Sequence, residues 1–424
     1  MAAAGQDAHV HLIPSLPDSV TSAVGRTGWL EDWRLAAALL AVATGLAAAW
    51  AVRAVLDRRA GRRHGHRLRR RVGLGGLVAL LTLAGGGAAV NAYAGYAPDL
   101  TTLERTAPGL VGIRSTGGPV AGSALPDTGR YPARLTTVET SDPSDRIPTT
   151  RAWVYLPPGY DDPANARSRY PVVYLVHGWP GTAYDWFGAG RAGRTAALMQ
   201  REGLLRPMIL VAPDASGGTV RDTECLDSTA GGPKLETYLT RTVVATVDRA
   251  FRTIPDRSAR ALGGVSSGGY CALNLGLRHQ DVFSAVLAMM PYGDPGANAT
   301  ATMLGGDALL RRENSPAWYA GTIPLRYPQA VFAAAGRDDR LCIRTAERAV
   351  TVLGDRGDYV GLRINPGLGH DWREARFELP YALAFASARL APAQPGLAAP
   401  GASAAGRVVF SRELRSGTRS RARS

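Results

Sequence analysis

Apolar positions fall into two regimes along the chain. Two long uncharged runs come first, LAAALLAVATGLAAAWAV at 35–52 and VGLGGLVALLTLAGGGAAVNA at 72–92. Each is close to the roughly 20 residues a helix needs to cross about 30 Å of hydrocarbon. From about 131 the runs shorten and become β-branched: RAWVYLPP (151–158), PVVYLVHG (171–178), MILVAPD (208–214), ARALGGVS (259–266), SAVLAMMPY (284–292), QAVFAAAG (329–336) and VGLRINPG (360–367). Amphipathic stretches near 191–202, 235–252, 268–279, 342–354 and 371–390 separate them. Strands alternating with helices predict an α/β domain over 131–391, with a mostly parallel sheet covered on both faces. No helix separates the first two strands, so an antiparallel hairpin is expected to start the sheet. Residues 96–130, rich in Gly, Pro, Thr and Ser without a period, read as a linker, and 392–424 as a disordered basic tail.

Charge changes the reading of the two long runs. The net +14 of this 424-residue chain is concentrated in two places. Residues 57–71 carry eight arginines against Asp57, a net +7, and the tail carries six against Glu413, a net +5. The remainder is near neutral, so no nucleic-acid-binding surface is expected. The alternative for the two runs is a pair of buried soluble helices. A short Arg-rich loop between them favours membrane spans, because such loops stay in the cytoplasm. The expected order is an extracytoplasmic segment (1–34), helix one (35–56), a basic cytoplasmic loop (57–71) and helix two (72–95). The catalytic domain would then lie outside a plasma membrane that 35–95 cross twice. Gly76, Ala84, Gly85 and Ala88 would let the two helices approach closely.

The sharpest chemical signal is Gly264-Val265-Ser266-Ser267-Gly268. An apolar strand precedes it and a helix follows, the context of a nucleophile elbow, whose serine projects above the sheet. The register selects Ser266 over Ser267. A serine hydroxyl needs a base. His9 and His11 precede the first run and His64 and His66 lie in the basic loop, which leaves three candidates. His279 ends a helix on the wrong side, and His177 in HGWPG suits a loop-shaping role. His370, in NPGLGHDW after the last strand, is the expected base. The acid should lie between serine and histidine in the chain, where Asp339 is preferred and Asp338 is the alternative. The oxyanion donors are expected to be the backbone N–H groups of Ser267 and Trp179. Nothing calls for a metal or cofactor.

Four motifs in order, HGWPGTAYDW, GGVSSGGYCALNLGLRHQDVF, AAAGRDD and GLGHDW, resemble the esterase D-like (putative esterase) family of α/β-hydrolases. That family includes feruloyl esterases and S-formylglutathione hydrolases, and the mycobacterial mycolyltransferases are distantly similar to it. The resemblance covers about 131–390. It implies a Ser266–His370–Asp339 triad, an α/β-hydrolase fold, and carboxylic ester hydrolysis of a small-molecule, lipid or sugar ester; the expected transmembrane hairpin lies outside the family domain. An acyltransferase moving the acyl group to a sugar or lipid hydroxyl is the alternative, and a non-catalytic anchored binding domain a third reading. Two segments depart from the family pattern. Residues 293–328 look like an inserted cap. The stretch bearing Asp222 and Glu224 reads as a solvated loop, with cation or sugar binding as the other possibility. Cys225 and Cys342, both in loops at the predicted active edge, are expected to pair in an oxidising exterior, with Cys271 packed behind the elbow.

Overall fold

The computed structural model describes residues 15–60, 68–110 and 130–394. Residues 61–67 of the basic loop, the later part of the expected linker and the tail from 395 lie outside the described residues. Four helices come first: α1 (Asp18–Val24), α2 (Trp33–Arg59), α3 (Leu68–Ala94) and α4 (Leu100–Leu110). The sheet domain then runs β1 (Arg134–Asp142), β2 (Ile147–Leu156), β3 (Val172–Val176), α5 (Ala192–Arg201) and β4 (Ile209–Ala212). A helix of two parts, α6 (Leu235–Thr237) and α7 (Val243–Ala250), joined by a π turn, leads to β5 (Arg260–Val265) and α8 (Ser267–Arg278). Next come β6 (Ala285–Met289) and three short helices, α9 (Gly296–Met303), α10 (Ala308–Glu313) and α11 (Pro316–Tyr319). The domain closes with β7 (Ala330–Gly336), α12 (Arg340–Asp355), β8 (Tyr359–Asn365) and α13 (Trp372–Arg389). Residues 293–328, the expected cap, hold α9 to α11.

The eight strands form one sheet in the order β1-β2-β4-β3-β5-β6-β7-β8. From β4 to β8 all neighbours are parallel; β1–β2 and β2–β4 are antiparallel. The expected hairpin between 151–158 and 171–178 is therefore corrected, since β2 pairs with β1 and β4 rather than β3. Strand β1, RLTTVETSD, lacks an apolar alternation because only Thr140 on it is buried. Along β3 the period of two divides the core. Val172, Tyr174 and Val176 pack with Val243, Val247, Leu275 and Val350 from α7, α8 and α12. Val173 and Leu175 pack with Met199, Leu379 and Leu383 from α5 and α13 on the opposite face.

Helices α2 and α3 contain apolar stretches of 24 and 23 residues, long and apolar enough to cross a membrane. They pack side by side, with Leu40 seated on Gly85, where a Cβ would approach its Cγ to 2.8 Å. Of the four small residues expected at this contact, Gly76 and Ala84 are exposed instead. The rest of both surfaces is largely exposed, including Val52, Leu80, Leu83 and Val90.

The flanks of this helix pair are not free segments. Val20 and Val24 of α1 join the core on the α5–α13 face. Part of the expected linker is helix α4, fastened by Arg105 over the rings of Trp153 and Tyr184. This helix escapes a hydrophobic-period reading because it is turned inside out. It buries Thr102 and Thr106 and exposes Leu100 and Leu103.

The central lock is an ion pair between Glu31 and Arg376, 3% and 2% exposed, with Arg376 Nη1 2.8 Å from Glu31 Oε1. Arg376 also donates to the carbonyls of Gly95 and Ala189, so three chain segments meet on one guanidinium. Removing one partner leaves a buried charge uncompensated. Arg376→Ala is therefore expected to lower stability by about 3 kcal/mol, read as a shift in the denaturant midpoint of the full chain in detergent. A loss below about 1 kcal/mol, the value of a surface pair, would show that the lock is not closed in solution.

Candidate active site

Ser266 occupies the turn from β5 into α8 with φ 59° and ψ −120°, a left-handed conformation rare for a residue with a Cβ. The turn is possible only because its neighbours are bare. A Cβ on Gly264 would lie 2.1 Å from Gly268 O, and one on Gly268 2.1 Å from Val176 O. Ser266 N–H donates to Met289 O, tying the turn to β6. Ser267 opens α8, where the first helical N–H groups have no acceptor within the helix.

Two loops at the same sheet edge complete the arrangement. His370, after β8, places Nε2 2.7 Å from Ser266 Oγ and Nδ1 2.5 Å from Asp339 Oδ2. Asp339, after β7, also accepts from Cys342 N through Oδ1, capping α12. Its two oxygens thus serve two tasks, one orienting the histidine and the other capping the helix. Burial alone would raise Asp339, but hydrogen bonds from His370 and Cys342 outweigh it and hold the carboxyl at about 2. Asp338 is exposed and joins only through its backbone, with N–H donating to Leu368 O. Gly178 brings the loop after β3 against the serine, since a Cβ there would sit 3.3 Å from Ser266 Cβ. Trp179 lines the cavity and fixes its ring by donating Nε1–H to Val220 O.

The other two histidines of the domain are engaged elsewhere. His177 is buried, with Nδ1 2.8 Å from Gly178 O and Nε2 accepting from Ala215 N. His279 meets Glu236 at 2.7 Å, away from the serine.

The cysteine expectation is corrected. Cys225 bonds to Cys271, and Cys342 is a buried free thiol. The reason is orientation: α8 is buried all round, and its Cys271 side meets the loop after β4, while Cys342 points under the histidine. Its Sγ donates to Met290 O and lies 3.6 Å from His370 Nδ1. Asp339, Cys342 and His370 bring metal-capable atoms within 4.8 Å of one another. Burial and the Asp339 carboxylate push the Cys342 thiol far up, and Asp339 and His370 are already joined to one another.

The loop read as solvated is also corrected. Glu224 is 2% exposed and sits beneath the elbow. It accepts from Ser267 Oγ at 3.1 Å and Tyr292 OH at 2.7 Å. Burial, with Asp222 beside it, raises its pKa well above the usual carboxylate range. Consecutive left-handed residues, Glu224 and Cys225, aim this carboxyl inward, and the disulfide fixes it to α8. No sequence motif marks it.

The serine opens into a cavity of about 490 Å³. Gly178, Trp179, Val265, Met290 and Trp372 line one side, and the end of α3 with Leu103 of α4 lines the other.

Residues 148–331 match the sequence profile of the putative esterase family. An uncharacterized protein of Corynebacterium glutamicum is 30% identical over 156 residues, 37% of this chain and 36% of its own. An endo-1,4-beta-xylanase/feruloyl esterase of Xylanibacter ruminicola is 31% identical over 131 residues, 31% of this chain and 18% of its own. The matched part thus spans about a third or less of these relatives. Among solved structures, a ferulic acid esterase superposes with a TM-score of 0.53 and 26% identity, covering 61% of this chain and 99% of that one.

Proposed function

We propose that this α/β-hydrolase, whose residues 148–331 belong to the putative esterase family, is a serine carboxylic ester hydrolase anchored in a membrane. The observation that carries the reading is the unbroken chain Ser266 Oγ–His370 Nε2 at 2.7 Å and His370 Nδ1–Asp339 Oδ2 at 2.5 Å on a strained elbow.

In this mechanism His370 takes the Ser266 proton as Oγ attacks the ester carbon. Ionised Asp339 holds the imidazole by Nδ1 and stabilises the cation that forms. The oxyanion falls to the backbone N–H groups of Ser267 and Trp179, on either side of the serine. His370 then protonates the leaving alcohol, and the acyl group remains on Ser266. Water attacks next, giving its proton to His370, which returns it to Ser266 Oγ as the acyl–oxygen bond breaks and the acid departs. A sugar or lipid hydroxyl in place of that water makes the same acyl-enzyme an acyltransferase.

The membrane reading draws on α2 and α3, on the arginines between them and on their packing as a pair. A disulfide in the catalytic domain favours the extracytoplasmic side, since such bonds persist in oxidising compartments. The domain boundaries proposed are two spans within 33–56 and 72–94, with both flanks joined to the hydrolase.

Two measurements test this. Full-length chain in detergent, incubated with a fluorophosphonate, is expected to carry one adduct at Ser266 by peptide mass spectrometry and to turn over p-nitrophenyl esters, with an added sugar alcohol revealing any transfer product. No adduct and no turnover would overturn the catalytic reading. Protease added to right-side-out vesicles is expected to digest the catalytic domain, whereas digestion only in inverted vesicles would reverse the topology.

A further inference from the structure

We propose that helix α3 forms one wall of the substrate cavity, and that the substrate is an ester whose long acyl chain lies in the adjacent bilayer leaflet. This rests on the hydrolase reading above and names the substrate class of that same site.

The first observation is where the cavity lies. Gly87, Val90 and Ala94 of α3 line it together with Ser266 and His370. They are spaced i, i+3 and i+7, so they share one face of the helix. Leu83 and Leu80 continue that stripe, and Leu80, Leu83 and Val90 are 63%, 75% and 69% exposed. Gly85, which meets α2, points to the opposite side. An unbroken apolar track therefore runs from the serine down a helix long enough to cross a bilayer.

The second observation is depth. The apolar stretch of α3 ends at Ala94. At 1.5 Å per residue, Val90 lies about 6 Å and Gly87 about 10 Å inside that end. Exposed Trp29, Trp33 and Tyr93 gather at the same end, as aromatic side chains do at a membrane interface. The cavity thus reaches to the level of the acyl chains.

The third is helix α4, which turns Leu103 into the cavity and Leu100 to the outside while burying its threonines. A wall meant for a polar ester in water would place them the other way.

The wall is also fixed. Asn91 donates to the carbonyls of Leu30 and Ala97 and accepts from Ala97 N, closing the end of α3. Arg373 of α13 donates to Tyr93 O. Tyr96 donates to buried Asp185, which also takes Thr182 N–H and Oγ–H and so holds the loop after β3. The membrane helix and the loop bearing Trp179 are thereby joined. The acyl group stays on Ser266 through both half-reactions, so it is the part of the ester that needs a lasting apolar bed. An acyl chain entering from the leaflet exchanges one hydrocarbon setting for another and exposes no apolar surface to water.

The test uses full-length protein in phospholipid nanodiscs, with p-nitrophenyl acetate, octanoate and palmitate as probes and Ser266→Ala as background. Wild type is expected to favour palmitate over acetate in kcat/KM by at least about 10-fold. Val90→Trp fills the track, and the palmitate-to-acetate ratio is expected to fall by about 10-fold or more. Gly87→Leu gives a smaller block in the same direction. Val52→Trp, on the exposed face of α2, keeps the wild-type ratio. Fluorophosphonate labelling of Ser266 in each variant counts assembled sites and normalises the rates. Turnover with the same chain-length profile in wild type, Val90→Trp and Gly87→Leu would overturn the lipid inference and leave the hydrolase. Absence of both turnover and labelling in wild type would overturn the hydrolase reading beneath it.

Discussion

Ser266→Ala is expected to lower ester turnover by about 10⁴-fold or more while leaving the fold intact. The hydroxyl is the atom that bonds to the acyl carbon, so without it no acyl-enzyme forms and water must attack directly. His370 stays in place to polarise that water and the oxyanion donors remain, which is why a residual rate above background survives. The cost to the fold is small because alanine keeps the Cβ already held at φ 59° and loses only the 2.7 Å bond to His370. The comparison therefore needs two readouts on the same preparation, steady-state hydrolysis and the denaturant midpoint. A variant keeping a tenth of wild-type turnover would show that another group does the chemistry.

The distribution of charge sets the helix pair apart from the sheet domain. The arginines lie between the two apolar helices and in the tail, while the described part of the domain pairs many of its charges internally. The sheet domain does not hang from the helix pair by a slack tether. Residues on both sides of the helices, Glu31 and Gly95, converge on Arg376 in the last helix of the hydrolase. The active-site cavity lies at that junction, so the helix pair and the site are one structure. A truncation that begins after the helices would remove a cavity wall and strand a buried arginine.

Much of the sheet is legible in sequence because buried parallel strands read as apolar runs. Strands β2 to β8 each carry one. Strand β1 does not, since it lies at the sheet edge and carries only Leu135 and Val138 as apolar residues among threonines, a serine and charged side chains. The elbow and the positions of Asp339 and His370 are legible for a different reason: chain order and strand ends confine them to a few candidates. Long-range partners are not confined in this way. Glu31 and Arg376 are 345 positions apart, and no local pattern links them. Helix α4 reads as linker because its buried face is threonine. Cys225 and Cys342 were expected to pair because both lie in loops at one edge, but pairing depends on the direction of the Cβ vectors. Glu224 reads as solvated because an acid in a Gly-rich loop looks so until the fold closes over it.

Asp339→Asn is expected to reduce kcat by about 10³- to 10⁴-fold, and Asp338→Asn to change it by less than about 3-fold. The two aspartates are adjacent, so the pair separates geometry from mere charge nearby. Asparagine at 339 can still cap α12, since its Oδ1 can accept from Cys342 N as the carboxylate does. Stability should fall little. What is lost is the anionic partner of His370 Nδ1, which now at 2.5 Å sets the tautomer that leaves Nε2 free to accept the serine proton. An amide also offers its own N–H to Nδ1, favouring the wrong tautomer. Acidification does not mimic the variant in the folded enzyme. The Asp339 carboxyl is held down at about 2, below its unfolded value, so its contribution to stability is present above about pH 4 and is lost only as pH falls towards 2. Across pH 5 to 9 wild type keeps the ionised acid, and the deficit of Asp339→Asn should persist over that whole window with fluorophosphonate labelling slowed in parallel. Equal losses in both variants would mean that the field of the loop, not a bond to His370, orients the base, and Asp339 would then be only a helix cap.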